Sequence, residues 1–480
     1  MAVCNSFSPV KPRLLTLLTA LLAFVMPGPV RATEPTVERV IVSYWEKWTG
    51  FEAAAMQAVV DDFNRSQSRI EVRLLAVSQI DVKLLLAASG GNPPDVAGLW
   101  SHTLPDFAEK GALTPLDGAL ARAGLGADHY VPVFWEMCRH RGFTWGLPTT
   151  PASIALFYNK RMFREAGLDP ERPPTTMAEL EAMNLRLTRV ELERSGRRVR
   201  VALGDLTAAE RTSHRFTLVQ AGHLPQEPGW YTAVWGYWFG AELYDGDRRI
   251  LALNPGNVAA YRWQYDTAQT FGVDNLRNFG ATFGNVASPQ NPFLDGKVAM
   301  VMQGPWMKNF IEKYSPDLEW GAAPFPAAGG VAGGAPVTVV ESDVVVIPHG
   351  AKHPREAFEF ICYLQQQAVA EKLAVAQRKF TALREVSPGF YAAHPNPRIE
   401  LFVALSRSPG ARTWPRLSIW REYADELRVA AERVLSQRMT PEAALAEVQE
   451  RVQWRLDRVM RRWDAVKTER LAEWRANDQW

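Results

Sequence analysis

Tryptophan is abundant in this chain, 17 in 480 residues, and several tryptophans follow short β-branched runs. Trp45 and Trp48 lie in YWEKWTG, directly after a strand-like run at 40–44. Trp100 ends a second run at 95–100. Trp230, Trp235 and Trp238 fall in GWYTAVWGYWFG, Trp306 closes VAMVMQGPW, and Trp414 and Trp420 lie in ARTWPRLSIW. Glycine and proline end a strand and turn the chain, so Gly304-Pro305 sets Trp306 at a strand end. In wound α/β sheets, ligands bind beyond the carboxyl ends of strands. An indole there is a flat apolar platform on which the C–H face of a sugar ring can stack, while polar neighbours take the hydroxyls. Glu46, Lys47, His102 and Glu341 are suitable partners of that kind. Indoles also fill cores, and Trp135, Trp145 and Trp263 are read that way.

Signatures of covalent chemistry are missing from the sequence. It has no Cys-x-x-Cys, no His-Glu-x-x-His, no nucleophile elbow and no glycine-rich phosphate loop before a helix. Cys138 and His140 are close, but two ligands do not make a zinc site. Carboxylates are plentiful, and none is marked out as a glycosidase pair. No catalytic residue, metal or cofactor is expected.

The composition, 47% hydrophobic and 22% charged, is that of a globular protein long enough for two or more domains. Lys11 and Arg13 precede an apolar run at 14–26. Pro27-Gly28-Pro29 breaks it, and Val30-Arg31-Ala32 supplies apolar or small residues at −3 and −1. This pattern predicts a secretory signal peptide cleaved after Ala32; the run is short for a membrane span. Taking Lys11, Arg13 and Arg31 from the 54 Lys and Arg leaves 51 against 52 Asp and Glu. Such a balance gives no reason to expect nucleic acid or an anionic membrane as partner. Cleavage also removes Cys4. Of the remaining two, Cys362 sits in the apolar helical stretch FEFICYL, so Cys138 and Cys362 are read as free thiols rather than a bridge.

The elements that must position these side chains begin as alternating strands and helices. Strands are predicted at 40–44, 70–77 and 95–100. Helices are predicted at 52–63, with Ala53, Met56, Val59, Val60 and Phe63 on one face, and at 80–88, stopped by Gly90-Gly91-Asn92-Pro93-Pro94. This βαβαβ order predicts an α/β sheet with parallel crossovers. Further strands are expected at 155–158, 298–302 and 343–347, a helix at 177–188 and a surface loop at 323–336. Near the end, Thr440-Pro441-Glu442 is a helix start. Leu445, Val448, Val452, Leu456, Val459, Trp463 and Val466 follow as one apolar stripe, read as packing on the chain's own core.

Six segments in order carry a family resemblance: YWEKWTGFEAAAMQAVVDDFN, GGNPPDVAGLWSHTLPDFAEKGALTPLD, GLPTTPASIALFYNKRMFREAGLDPERPPTT, FLDGKVAMVMQGPW, IPHGAKHPREAFEFICYL and MTPEAALAEVQERV. With them the chain resembles the bacterial extracellular solute-binding proteins of family 1, the maltose-binding-protein-like sugar receptors of ABC importers. The resemblance implies an α/β, two-lobe periplasmic-binding-protein fold, each lobe a wound sheet flanked by helices. Crossings between lobes fall near 142–151, 337–343 and 394–398. The expected partition is a signal peptide at 1–32, an N-lobe at 33–145 and 341–395, and a C-lobe at 146–340 and 396–480, with a helical extension from about 455.

The resemblance also implies a monomeric periplasmic receptor, closing on a carbohydrate and docking on the permease subunits of an ABC transporter. It matches Trp306 to a position that stacks on sugar, Trp100 and His102 to a cleft-facing strand end, and Glu46 and Lys47 to a polar pair after the first strand. Trp420 matches a further aromatic platform, and Trp230 and Tyr231 fall in an aromatic loop of the second lobe. Trp45, Trp48 and Glu341 complete the expected ligand-binding set. Two departures stand out. Glu341-Ser342-Asp343 replaces the glycine pair of many relatives, which adds a carboxylate. Thr103-Leu104 replaces residues charged in maltose binders, so maltose is not implied. Two other functions remain open at this point: a receptor for a glycerol phosphodiester or other anionic solute, which Lys47 favours, and an exported glycoside hydrolase.

Overall fold

The computed structural model describes residues 39–328 and 334–480. The apolar run at 14–26 and the cleavage expected after Ala32 lie outside the described residues, as does part of the loop read at 323–336.

Strand Val40–Glu46 pairs in parallel with Ile70–Ala76 and with Val96–Trp100, and helices Gly50–Ser66 and Ile80–Ser89 make the two crossovers. The first helix buries Ala55, Met56, Val59, Val60 and Phe63, as the 3.6-residue period requires. Strand Thr338–Val346 joins the sheet antiparallel to Val96–Trp100. Leu147–Ser153 in turn runs antiparallel to Thr338–Val346. The strand expected at 343–347 therefore starts five residues earlier, because the β-branched Thr338-Val339-Val340 run is paired rather than free.

A second sheet holds Trp320–Ala323, Ala155–Asn159, Val298–Gln303, Thr217–His223, Arg189–Arg194 and Arg197–Ala202 in that spatial order. Only Thr217–His223 and Val298–Gln303 are parallel neighbours in it; the other pairs are antiparallel. The sequence reading located two of these strands. The hairpin at 189–202 escapes it because arginines and glutamates fill its exposed face.

Helices cover both sheets. Val42, Tyr44, Met56, Val60, Phe360 and Ile361 form part of one core. Leu156, Met300, Met302, Trp235, Trp238, Tyr423 and Leu427 form part of another. Trp135, Trp145 and Trp263 are buried, as read. Cys138 and Cys362 are free thiols.

The final helix, Pro441–Asn477, is 37 residues long, which corresponds to about 55 Å. Thr440 caps it, its hydroxyl accepting from the Ala443 N–H at 3.3 Å, and Pro441 occupies the first turn, where no N–H is needed. Ala444, Leu445, Val448, Val452, Leu456 and Met460 pack into the core of the second sheet. Beyond Met460 the helix changes partner. Trp474 is buried with Leu104, Phe107, Phe143 and Trp145 beside the first sheet, and Trp463 and Leu471 pack against that cluster. The stripe read through Val466 thus needs correction, since Val466 is exposed. Spacings that average 3.5 residues drift round a helix of 3.6 residues per turn, and by Val466 the stripe has rotated off the contact.

Candidate functional site

Trp306 shows how local sequence builds the site. Strand Val298–Gln303 ends, Gly304-Pro305 turns, and helix Met307–Tyr314 begins. The indole folds back over Gly304, where a Cβ would stand 2.2 Å from the ring. No other residue fits there without displacing it. The indole N–H donates to Gln303 Oε1 at 3.1 Å, and a ring face is left to the neighbouring cavity.

That cavity measures about 600 Å³. It lies beyond the carboxyl ends of Val40–Glu46, Val96–Trp100 and Val298–Gln303, where ligands of α/β sheets bind. Lys47, Trp48, Trp100, His102, Trp230, Tyr231, Trp306, Glu341 and Trp420 all line it. Trp100 and Trp230 are its most exposed rings, at 41% and 47%. Trp420 is only 4% exposed and belongs largely to the second core. Trp414, 5.7 Å from it, is less buried. Trp414 also stacks near-parallel with Tyr231 at 6.5 Å and donates its indole N–H to Glu341 Oε2 at 3.3 Å.

Two expected residues do not line the cavity. Trp45 packs against the cluster of Val77, Ile80 and Leu84. Glu46 is 2% exposed and turns inward with Val42 and Tyr44, because alternate residues of a strand share a face. Its carboxylate accepts from the Tyr44 hydroxyl at 2.6 Å and from the Lys47 N–H at 2.8 Å, and pairs with Lys47 Nζ at 3.1 Å. Space for it exists only because residue 98 is glycine, whose added Cβ would meet Glu46 Oε2 at 1.8 Å. Glu46 therefore holds Lys47 in place rather than meeting a ligand.

Lys47 and a residue the sequence reading missed, Lys379, grip the same carboxylate. Lys47 Nζ stands 3.0 Å from Asp343 Oδ1, and Lys379 Nζ stands 3.1 Å from Asp343 Oδ2 and 3.0 Å from Glu52. The Thr150 hydroxyl donates to Asp343 Oδ2 at 3.0 Å. Burial alone would raise the Asp343 pKa, but the two ammonium groups outweigh it and hold the carboxyl at about 2. Both ammoniums also lie over indoles: Lys47 is 4.7 Å from the Trp48 ring, and Lys379 is 5.4 Å from Trp48 and 5.7 Å from Trp306. Such contacts orient rings that ligands can stack on.

Glu341, two residues before Asp343 on the same strand face, is treated differently. Burial, then the charge of Asp343, pushes its carboxyl up to about 7. Burial also pulls His102 down to about 4, so it is neutral at ordinary pH. The arrangement is a pocket of aromatic faces around fixed hydrogen-bonding groups. The described geometry gives it the means to bind and orient a polar small molecule.

Comparison with known proteins bears on the family and the fold. The model of the bacterial extracellular solute-binding protein family matches residues 49–371. A putative binding protein of Brucella abortus (strain 2308) is 27% identical over 368 residues, covering 76% of this chain and 80% of the relative. The mannotriose-bound structure of CpMnBP1 superposes with a TM-score of 0.73 at 25% identity, covering 86% of this chain and 99% of that one. The sugar-binding protein MalE of Xanthomonas citri, at 23% identity and a TM-score of 0.65, covers 88% and 98% and shares the two-lobe fold. Because the family model matches the greater part of the chain, residues 49–371, the chain belongs to the bacterial extracellular solute-binding proteins.

Proposed function

We propose that this protein is a periplasmic receptor that captures a sugar or oligosaccharide and delivers it to the membrane subunits of an ABC importer. The observation that carries this reading is the cavity walled by Trp48, Trp100, Trp230, Trp306 and Trp414 with buried polar groups between the rings. The mannotriose-bound neighbour supports it. The protein acts as a monomer and makes or breaks no covalent bond. Its N-lobe comprises 33–145 and 341–395 and its C-lobe 146–340 and 396–480, and the ligand favours the closed form because only then does it touch both. The anionic-solute reading is weaker. It drew on Lys47, and that ammonium is already taken by Glu46 and Asp343.

A thermal-shift screen against mono- and oligosaccharides tests the reading, since a ligand bound only by the native state raises the melting temperature. No shift with any saccharide at millimolar concentration would reject it. With the ligand in hand, Trp306→Ala should weaken binding by about 2 kcal/mol, roughly thirtyfold. The same change should cost the fold less than the ~3–5 kcal/mol of a fully buried aromatic, because Trp306 is partly exposed to the cavity. Calorimetric titration and denaturant melts of one variant separate the two effects. Wild-type affinity in Trp306→Ala would remove this residue from the site.

Export is proposed on the sequence pattern, and the mature protein should begin at Thr33. Intact mass of periplasmic material checks this; a soluble protein retaining Met1 would refute it.

A further inference from the structure

The geometry points to a ligand that carries a protonated amine, an amino sugar, with Glu341 as the residue that selects it. The inference rests on the saccharide reading above and narrows it.

Three observations converge. The first is how unevenly the two carboxylates of strand Thr338–Val346 are satisfied. Asp343 is gripped by Lys47, Lys379 and Thr150. Glu341 has one neutral donor, the Trp414 indole N–H at 3.3 Å, and lines the cavity. Glu341 is only partly buried, so a ligand that fills the cavity takes water from its carboxylate. The remaining lone pairs then need partners, and the ligand must bring them.

The second observation is what surrounds that carboxylate. The Trp414 ring stacks with Tyr231 at 6.5 Å and meets Trp420 at 5.7 Å. Aromatic faces attract cations. Tyr231 and Trp420 are buried, so the ring of this group open to a ligand is the half-buried Trp414. A carboxylate beside it is complementary to an ammonium group more than to a hydroxyl.

The third observation is the charge balance of the site. Glu46, Glu52 and Asp343 are ion-paired with Lys47 and Lys379. Glu341 stands beside this network with no ion pair of its own, within reach of the charges of Asp343, Lys379 and Glu52. Arg421 is taken by Asp81, and Arg428 by Asp425. His102 is held neutral by burial. Four carboxylates against two ammoniums leave negative charge unpaired at Glu341, and closing the cleft over it strengthens that charge's demand for a cation. A ligand ammonium meets the demand. A neutral sugar leaves it to a proton.

The groups that face Glu341 are Asp343 on its own strand, Glu52 from helix Gly50–Ser66, Lys379, and the Tyr231 phenol. The two acids and burial favour a proton on Glu341; Lys379 and the Trp414 N–H oppose it. An amine bound there displaces that proton. Affinity for the amino sugar should then fall as pH drops from about 7, where Glu341 titrates, toward 5.

The test is a titration series pairing each amino sugar with its hydroxyl parent: glucosamine with glucose, galactosamine with galactose, mannosamine with mannose, and the β-1,4 glucosamine disaccharide with cellobiose. At neutral pH at least one amino sugar should bind about tenfold tighter than its parent. That preference should collapse in Glu341→Gln, which keeps shape and removes charge, and a melt of the variant shows that it is folded. The inference is overturned if every parent binds as well as its amine, or if the preference survives Glu341→Gln. Neutral sugars binding without any amine preference would leave the receptor reading standing and remove only this one. Absence of binding by every saccharide would remove both.

Discussion

Asp343→Ala is expected to lower the unfolding free energy by about 3–5 kcal/mol, the range for breaking a buried ion pair by removing one partner. The carboxylate is buried and is the shared counter-ion of Lys47 and Lys379. Alanine would leave two ammonium groups facing each other in a low-dielectric pocket, with only Glu46 and Glu52 to offset them. The two ammoniums would move apart, and Trp48, which lies under both, would lose its orientation. Ligand affinity should fall with stability. Denaturant unfolding measures the first effect and calorimetry the second. A loss under about 1 kcal/mol, the scale of an exposed ion pair, would mean that water reaches the cluster.

The same residue gives a pH dependence with a defined sign. Its carboxyl is held at about 2 in the folded state and returns to about 3.9 on unfolding. A depressed folded-state value contributes stability that is fully present above the unfolded value and is lost as pH falls through the folded one. The contribution is roughly 2–3 kcal/mol. It should appear as a difference between wild type and Asp343→Asn that is constant above about pH 5 and shrinks toward pH 2.

Trp474→Ala should be as costly to the fold, about 3–5 kcal/mol, although it lies far along the last helix. Its ring is 1% exposed. It meets Trp145 edge-on at 4.8 Å and Phe143 at 5.6 Å, and stacks with Trp463 at 5.6 Å. Because the helix that carries it is rooted in the core of the second sheet, the loss should loosen that helix's hold on the first. Trp474→Phe should be much milder. It keeps most of the apolar volume and removes an indole N–H that is buried without a partner, a group whose desolvation costs about 1–3 kcal/mol. Equal losses for the alanine and phenylalanine variants in denaturant melts would contradict this account.

The parts of the fold that local pattern controls were legible in the sequence. The parallel run from Val40 to Trp100 follows from apolar periodicity and Gly-Pro breaks. Trp306 was placed at a cavity from the two residues before it. Glu46 was misplaced although the signal was present. It shares strand parity with Val42 and Tyr44, and parity alone assigns it to the buried face. Lys379 was not legible. Nothing in AQRKFTALRE marks a site lysine, and its role arises because helix Gln367–Gln377 ends beside Asp343 and Glu52, residues distant in sequence. The end of the apolar stripe on the last helix was equally hidden, because it depends on which neighbour lies beyond Met460.

The tryptophan lining of the cavity makes the protein its own optical probe. Of the 17 indoles, those with heavily exposed rings among the described residues are Trp100, Trp230 and Trp454. Two of the three stand in the cavity. Water-exposed indoles emit at longer wavelength than buried ones. A ligand that covers Trp100 and Trp230 therefore moves much of the red-emitting population to the blue, while the core indoles stay silent. Occupancy can then be followed by intrinsic fluorescence, without a label and at concentrations well below those calorimetry needs.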